Sequence, residues 1–129
     1  MANILLIDDE PVSLSLIANT LRLDGHNVKA MCGPLEALET QGAGQPPIDL
    51  LLTDISLEPI SGFQLAKRLS NAGFRSPVLF MSSYPALAGA VADGLGDRAI
   101  LEKPFTARQL RSAVRRALLK SKVKTPHDA

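Results

Sequence analysis

Short apolar runs alternate five times with longer stretches whose apolar residues recur every three to four positions. "NILLID" (Asn3 to Asp8) is apolar on both faces and predicts a fully buried strand. "PVSLSLIANTLRLDG" follows with Leu14, Ile17, Ala18 and Leu21 on one helical face and Gly25 as the stop. "NVKAM" predicts a second, weaker strand, and "PLEALET" a helix with Pro34 in its first turn. "GAGQPP" (Gly42 to Pro47) is a loop by composition. "IDLLLTDI" (Ile48 to Ile55) is the most apolar strand and is expected at the centre of a sheet.

The second half repeats the alternation. "GFQLAKRLSNAG" predicts a helix with Phe63, Leu65, Ala66 and Leu69 inward, and "PVLFMSS" a fourth strand. "ALAGAVADGLG" predicts a helix weakened by three glycines, and "RAILEK" a fifth strand. "TARQLRSAVRRALLK" closes the pattern, with Thr106 as N-cap and Leu110, Val114 and Leu118 inward. The closing "SKVKTPHDA" is polar, so residues 1–121 are expected to form the domain and 122–129 a frayed tail. Such alternation implies right-handed crossovers and an α/β fold, a doubly wound parallel sheet with helices on both faces.

Composition narrows this picture without changing it. At 129 residues, with 46% hydrophobic and 21% charged, the chain suits one globular domain. A formal net charge of +1 predicts no general attraction to nucleic acid or membrane. The basic residues Arg108, Arg111, Arg115, Arg116, Lys120, Lys122 and Lys124 collect toward the C-terminal end, where they suit the dipole of the last helix. Cys32 is the single cysteine, expected as a small buried or half-buried hydrophobe in a reducing cytoplasm. His26 and His127 belong to no ligand pattern. No apolar run reaches the roughly 20 residues of a membrane span, and the first residues do not form a signal peptide.

In a parallel sheet, ligands bind at the carboxyl ends of the strands. The residues predicted there are few: Asp8 and Asp9, with Glu10, after the first strand; Asp54 after the third; Ser82 after the fourth; Lys103 after the fifth. Carboxylates converging without a cation would repel one another. Oxygen ligands at such a rim suit a hard divalent ion, Mg²⁺ above all, with Mn²⁺ as a substitute. Lys103 adds one positive charge and Ser82 a hydroxyl donor, which together equip a carboxylate to receive a phosphoryl group. Pro104 constrains the backbone after Lys103, and a cis bond there would aim the ammonium at the pocket; the sequence leaves the isomer open. The bland readings are a solvated turn for the aspartates, with Asp9 or Glu10 supporting the helix start, a helix cap for Ser82 and core packing for Phe80 and Tyr84.

"LLIDDEP", "LLLTDISLEPISG", "VLFMSS" and "LEKPF", in this order and spacing, make the chain resemble the receiver domain of two-component response regulators. The resemblance covers Asn3 to about Lys120, and "MSSYP" is closer to receivers of hybrid sensor kinases than to the chemotaxis type. It implies a flavodoxin-like sheet of order 2-1-3-4-5, the arrangement for which this family's chemotaxis member is the standard example. It further implies a phosphoacceptor at Asp54, metal-binding carboxylates at Asp8 and Asp9 with Asp9 the closer ligand, and a metal-ligating backbone carbonyl at Ser56. Ser82 and Lys103 match the family's hydroxyl and lysine. The partners implied are a sensor histidine kinase or histidine phosphotransfer protein, a downstream protein target, and a second copy through the last helix–strand–helix face.

Three departures stand out. Glu58 occupies a place where the family often has proline, with Pro59 one residue later, which brings an extra carboxylate into the loop beside the metal position. Ile100 replaces the aromatic residue that turns inward on activation in many members, and Ser83 replaces a smaller residue. Ser56 and Tyr84 are the residues that, in receivers, flank the path of the hydrolytic water. Three rivals are weighed beside this reading. A haloacid-dehalogenase-like phosphohydrolase would need its aspartates two residues apart and a cap domain, and a flavodoxin would need a Ser/Thr-rich loop after the first strand. A pseudo-receiver that only binds a partner is disfavoured by the intact acidic set. No output domain follows the last helix, so a stand-alone receiver and a piece of a larger regulator are both open.

Overall fold

A computed structural model of the chain describes residues 1–42, 47–83 and 99–128. Its sheet contains strands β1 (Asn3–Ile7), β2 (Asn27–Met31), β3 (Leu50–Asp54), β4 (Val78–Ser82) and β5 (Ala99–Glu102). All pairings are parallel, in the order β2-β1-β3-β4-β5, which puts β3 at the centre as its apolar run predicts. The described helices are α1 (Pro11–Leu23), α2 (Pro34–Gly42), α3 (Gly62–Asn71) and α4 (Ala107–Asp128). The helix read into residues 86–96, which would complete the expected dimer face, lies outside the described residues.

The strand period of two divides the core into two layers. Ile4, Leu6, Leu50, Leu52, Leu79 and Met81 point to one face, against Ile17, Ala18 and Leu21 of α1 and Leu110, Val114 and Ala117 of α4. Leu5, Ile7, Leu51, Val78 and Phe80 point to the other, against Ala37 of α2 and Leu65, Ala66 and Leu69 of α3. Phe63 is only partly buried and meets Phe80 edge-on, with ring centroids 4.7 Å apart. Because β1, β3 and β4 are covered on both faces, only apolar residues follow Asn3 along them until their carboxyl ends. There the buried polar residues are Asp8, Thr53, Asp54 and Ser82.

Local chemistry sets the helix boundaries. Gly25 has φ +92°, a left-handed conformation that only glycine adopts freely, and it ends α1 as the pattern predicts. Thr106 and Gln109 exchange hydrogen bonds between side chain and backbone N–H, so Thr106 caps α4. Ser61 and Gln64 do the same at α3.

One expectation is corrected. Cys32 is exposed rather than buried, because β2 is an edge strand that ends at Met31 and the chain then turns outward toward α2. The last helix spans Ala107–Asp128. His26 is satisfied: its Nδ1 accepts the Ala2 N–H at 3.1 Å. Among the described residues, no helix is long and apolar enough to cross a membrane.

Candidate functional site

Three strand ends meet at one point of the sheet. β1 delivers Asp8 and Asp9, β3 delivers Asp54, and β5 delivers Lys103 across the top of β4. The Asp8 N–H donates to the Met31 carbonyl and the Lys103 N–H to the Ser82 carbonyl (2.8 Å), so the sheet ladder extends into the site and fixes its backbone. Carboxylate oxygens of Asp8, Asp9 and Asp54 lie within 4.8 Å of one another. Asp8 and Asp54 are buried and Asp9 is exposed.

The Lys103 ammonium bridges the two buried carboxylates, 2.7 Å from Asp54 Oδ1 and 3.0 Å from Asp8 Oδ2. One cation therefore faces three carboxyl groups among the described residues of this group. The imbalance appears in their acidities. Burial first, then hydrogen bonding and charge from Asp8, push the Asp54 carboxyl up to about 7 against the opposing pull of Lys103. Burial also disfavours the Asp8 anion. Hydrogen bonds from Asp54, the Glu10 N–H, the Ser13 hydroxyl and Lys103 outweigh it and hold Asp8 below its ordinary value. Lys103, though partly desolvated, is raised by its contacts with Asp54 and Asp8.

This donor set fits a hard divalent cation. All three side chains offer oxygen, one is open to solvent, and the buried Asp54 lacks a full counter-charge. Glu58 is exposed and stands outside the carboxylate group, so the extra carboxylate expected beside the metal is not delivered there. The Glu58–Pro59 peptide is cis, as is Lys103–Pro104, the isomer the sequence left open.

Ser82 is buried at the end of β4, opposite Glu102 in register, and Ser56 is exposed two residues beyond Asp54. Ile100 lies opposite Phe80 and packs, partly buried, against the α2/α3 side of the core. Tyr84 lies outside the described residues. Glu10 caps α1, its carboxylate accepting the N–H groups of Val12 (3.3 Å) and Ser13 (2.6 Å), which settles which acidic residue supports that helix.

Two contributors to the site are not singled out by the sequence pattern. The Ser13 hydroxyl donates to Asp8 Oδ2 at 2.7 Å. Gly62 packs directly on the Asp54 backbone, with its N–H donating to the Ile55 carbonyl at 2.8 Å. Helical period alone makes Ser13 a surface position and Gly62 an ordinary helix start. The only available signal is the polar residue on the first turn after an Asp-Asp pair.

Comparison with known proteins agrees with this geometry. The family model for the response regulator receiver domain matches residues 4–115. The transcriptional regulatory protein SpaR of Bacillus subtilis is 35% identical over 88% of this chain and 50% of its own length. The chain thus spans about half the length of that curated relative. The crystal structure of a response regulator receiver protein from Sinorhizobium medicae is 36% identical, with a TM-score of 0.80 over 91% of this chain and 94% of that one. The receiver domain from the hybrid histidine kinase CckA is 29% identical, with a TM-score of 0.72 over 90% of this chain and 98% of that one. None of these matches favours the phosphohydrolase or pseudo-receiver readings.

Proposed function

The chain belongs to the response regulator receiver domain family, and from that membership we propose that Asp54 accepts a phosphoryl group from a phosphohistidine donor in a Mg²⁺-dependent transfer that switches partner binding. The observation that carries the assignment is the Lys103 ammonium seated between Asp54 Oδ1 (2.7 Å) and Asp8 Oδ2 (3.0 Å) inside a group of three carboxylates. Such a charge set is poorly balanced on its own and is completed by a cation together with an incoming phosphoryl group.

In the transfer, an Asp54 carboxylate oxygen forms a bond to phosphorus while the phosphorus–nitrogen bond to the donor imidazole breaks. The imidazole nitrogen keeps that electron pair and takes a proton. Lys103 follows the growing charge onto a phosphoryl oxygen, and the Ser82 hydroxyl donates a hydrogen bond to another. Asp8, Asp9, Asp54 and the Ser56 carbonyl would hold a Mg²⁺ ion, which when bound would supply positive charge to the phosphoryl oxygens. The domain acts chemically only on its own Asp54, in phosphorylation and in hydrolysis. Its donor is a sensor histidine kinase or a histidine phosphotransfer protein, its output a protein target, and its compartment the cytoplasm.

The test is labelling by acetyl phosphate with and without Mg²⁺, read by intact-mass spectrometry. One phosphate, labile to base and dependent on Mg²⁺, is expected in the wild type and none in Asp54→Asn. Persistent labelling of Asp54→Asn sinks the assignment.

A further inference from the structure

Asp8 is fully buried, so its carboxylate has to be oriented by donors rather than by water. The Glu10 N–H donates to Oδ1 at 2.9 Å. Oδ2 receives the Ser13 hydroxyl at 2.7 Å and the Lys103 ammonium at 3.0 Å. These donors differ in what else they do. Lys103 divides its ammonium between Asp8 and Asp54, so anything that draws it toward Asp54 loosens its hold on Asp8. The Ser13 hydroxyl comes from the first turn of α1 and is directed at Asp8.

Ser13 is not needed there as a helix cap. Glu10 already fills that role, and its carboxylate fixes the Ser13 backbone by accepting its N–H at 2.6 Å. The result is a closed ring. Asp8 Oδ1 accepts from Glu10, Glu10 accepts from Ser13, and Ser13 donates back to Asp8 Oδ2. A carboxylate held at both oxygens by rigid partners is pre-oriented for a cation, as outer partners of metal ligands generally are.

We propose that Ser13 is a positioning residue for the cation site: its hydroxyl keeps the Asp8 carboxylate in one orientation within the group it forms with Asp9 and Asp54, including when Lys103 is engaged elsewhere. The inference rests on the reading of this group as the Mg²⁺ site.

The experiment is calorimetric titration of the full chain with Mg²⁺ at fixed pH and ionic strength, comparing wild type, Ser13→Ala, Ser13→Thr and Ser13→Val. Threonine and valine have nearly the same shape and differ in the hydroxyl, so their comparison separates positioning from packing even if alanine perturbs folding. Ser13→Val and Ser13→Ala should bind Mg²⁺ about tenfold more weakly than the wild type, and Ser13→Thr should restore most of the affinity. In an Asp8→Asn background, removing the Ser13 hydroxyl should have little further effect, because the oriented group is gone. Equal affinity of the Thr and Val variants overturns the inference while leaving the site intact. A wild type that takes up no Mg²⁺ overturns the site reading itself, and the inference with it.

Discussion

Gly62 lies so close to Asp54 that a Cβ built on it would collide with the Asp54 carbonyl oxygen. The contact is made by the first residue of α3, and the Gly62 N–H is bonded to the Ile55 carbonyl at 2.8 Å. The helix therefore starts in direct contact with the backbone of the proposed phosphoacceptor. Its φ is not left-handed, so the requirement for glycine here is space rather than conformation.

Gly62→Ala is expected to destabilise the fold by about 1–3 kcal/mol, because backbone rather than a flexible side chain must give way. It should also slow labelling of Asp54, whose carbonyl would be displaced. Gly33→Ala is the control: nothing lies within 4 Å of its added Cβ, so it should be near neutral. Urea unfolding of the two variants checks this, and equal midpoints would show that the α3 start yields without strain.

Asp9 differs from Asp8 and Asp54 in being exposed, so its removal probes the metal without disturbing the core. Asp9→Ala should weaken Mg²⁺ binding by roughly tenfold or more, about 1.4 kcal/mol, since one of few oxygen ligands is lost. The metal-free stability should stay within about 0.5 kcal/mol of wild type, as for most exposed positions. A Mg²⁺ isotherm unchanged in Asp9→Ala would place the ion on other groups.

The fold was legible because apolar pattern and topology are tightly coupled here. Three consecutive leucines, Leu50 to Leu52, can only be buried on both faces, and that places β3 at the centre. Asp8, Asp54 and Ser82 were legible for the complementary reason, as buried polar residues at the ends of strands otherwise closed to water, whereas Lys103 follows the partly exposed edge strand β5. What escaped the pattern depends on contacts between residues on different elements, or on one side-chain rotamer. The Ser13 hydroxyl turned back to Asp8, the Gly62 approach to Asp54 and the outward turn at Cys32 have no periodicity to announce them. Glu10 and Asp9 were equal candidates for supporting α1, and only the bonds from Val12 and Ser13 decide for Glu10.

The acidity of Asp54 leads to a stability signature. Its carboxyl is pushed up to about 7, first by burial and then by Asp8, from an ordinary value of 3.8. A group whose folded value is raised contributes stability that is fully present below its unfolded value and is lost as pH rises through the folded one. In the metal-free wild type, the Asp54 contribution should therefore decline between about pH 4 and 7, by at most a few kcal/mol. Asp54→Asn cannot ionise, so in EDTA its Tm relative to wild type should climb as pH rises from 5 to 8. Asp8, held below its ordinary value by its donors, stays ionised across this window and adds no opposing slope. Saturating Mg²⁺ should cancel the difference, since a cation favours the ionised carboxylate and ligand at 100 times Kd stabilises by about 2.7 kcal/mol. Thermal melts of both proteins at several pH values, with EDTA and with Mg²⁺, make the test. A Tm difference independent of pH in EDTA would mean that Asp54 is already ionised at the low end, with Lys103 sufficient to balance both buried aspartates.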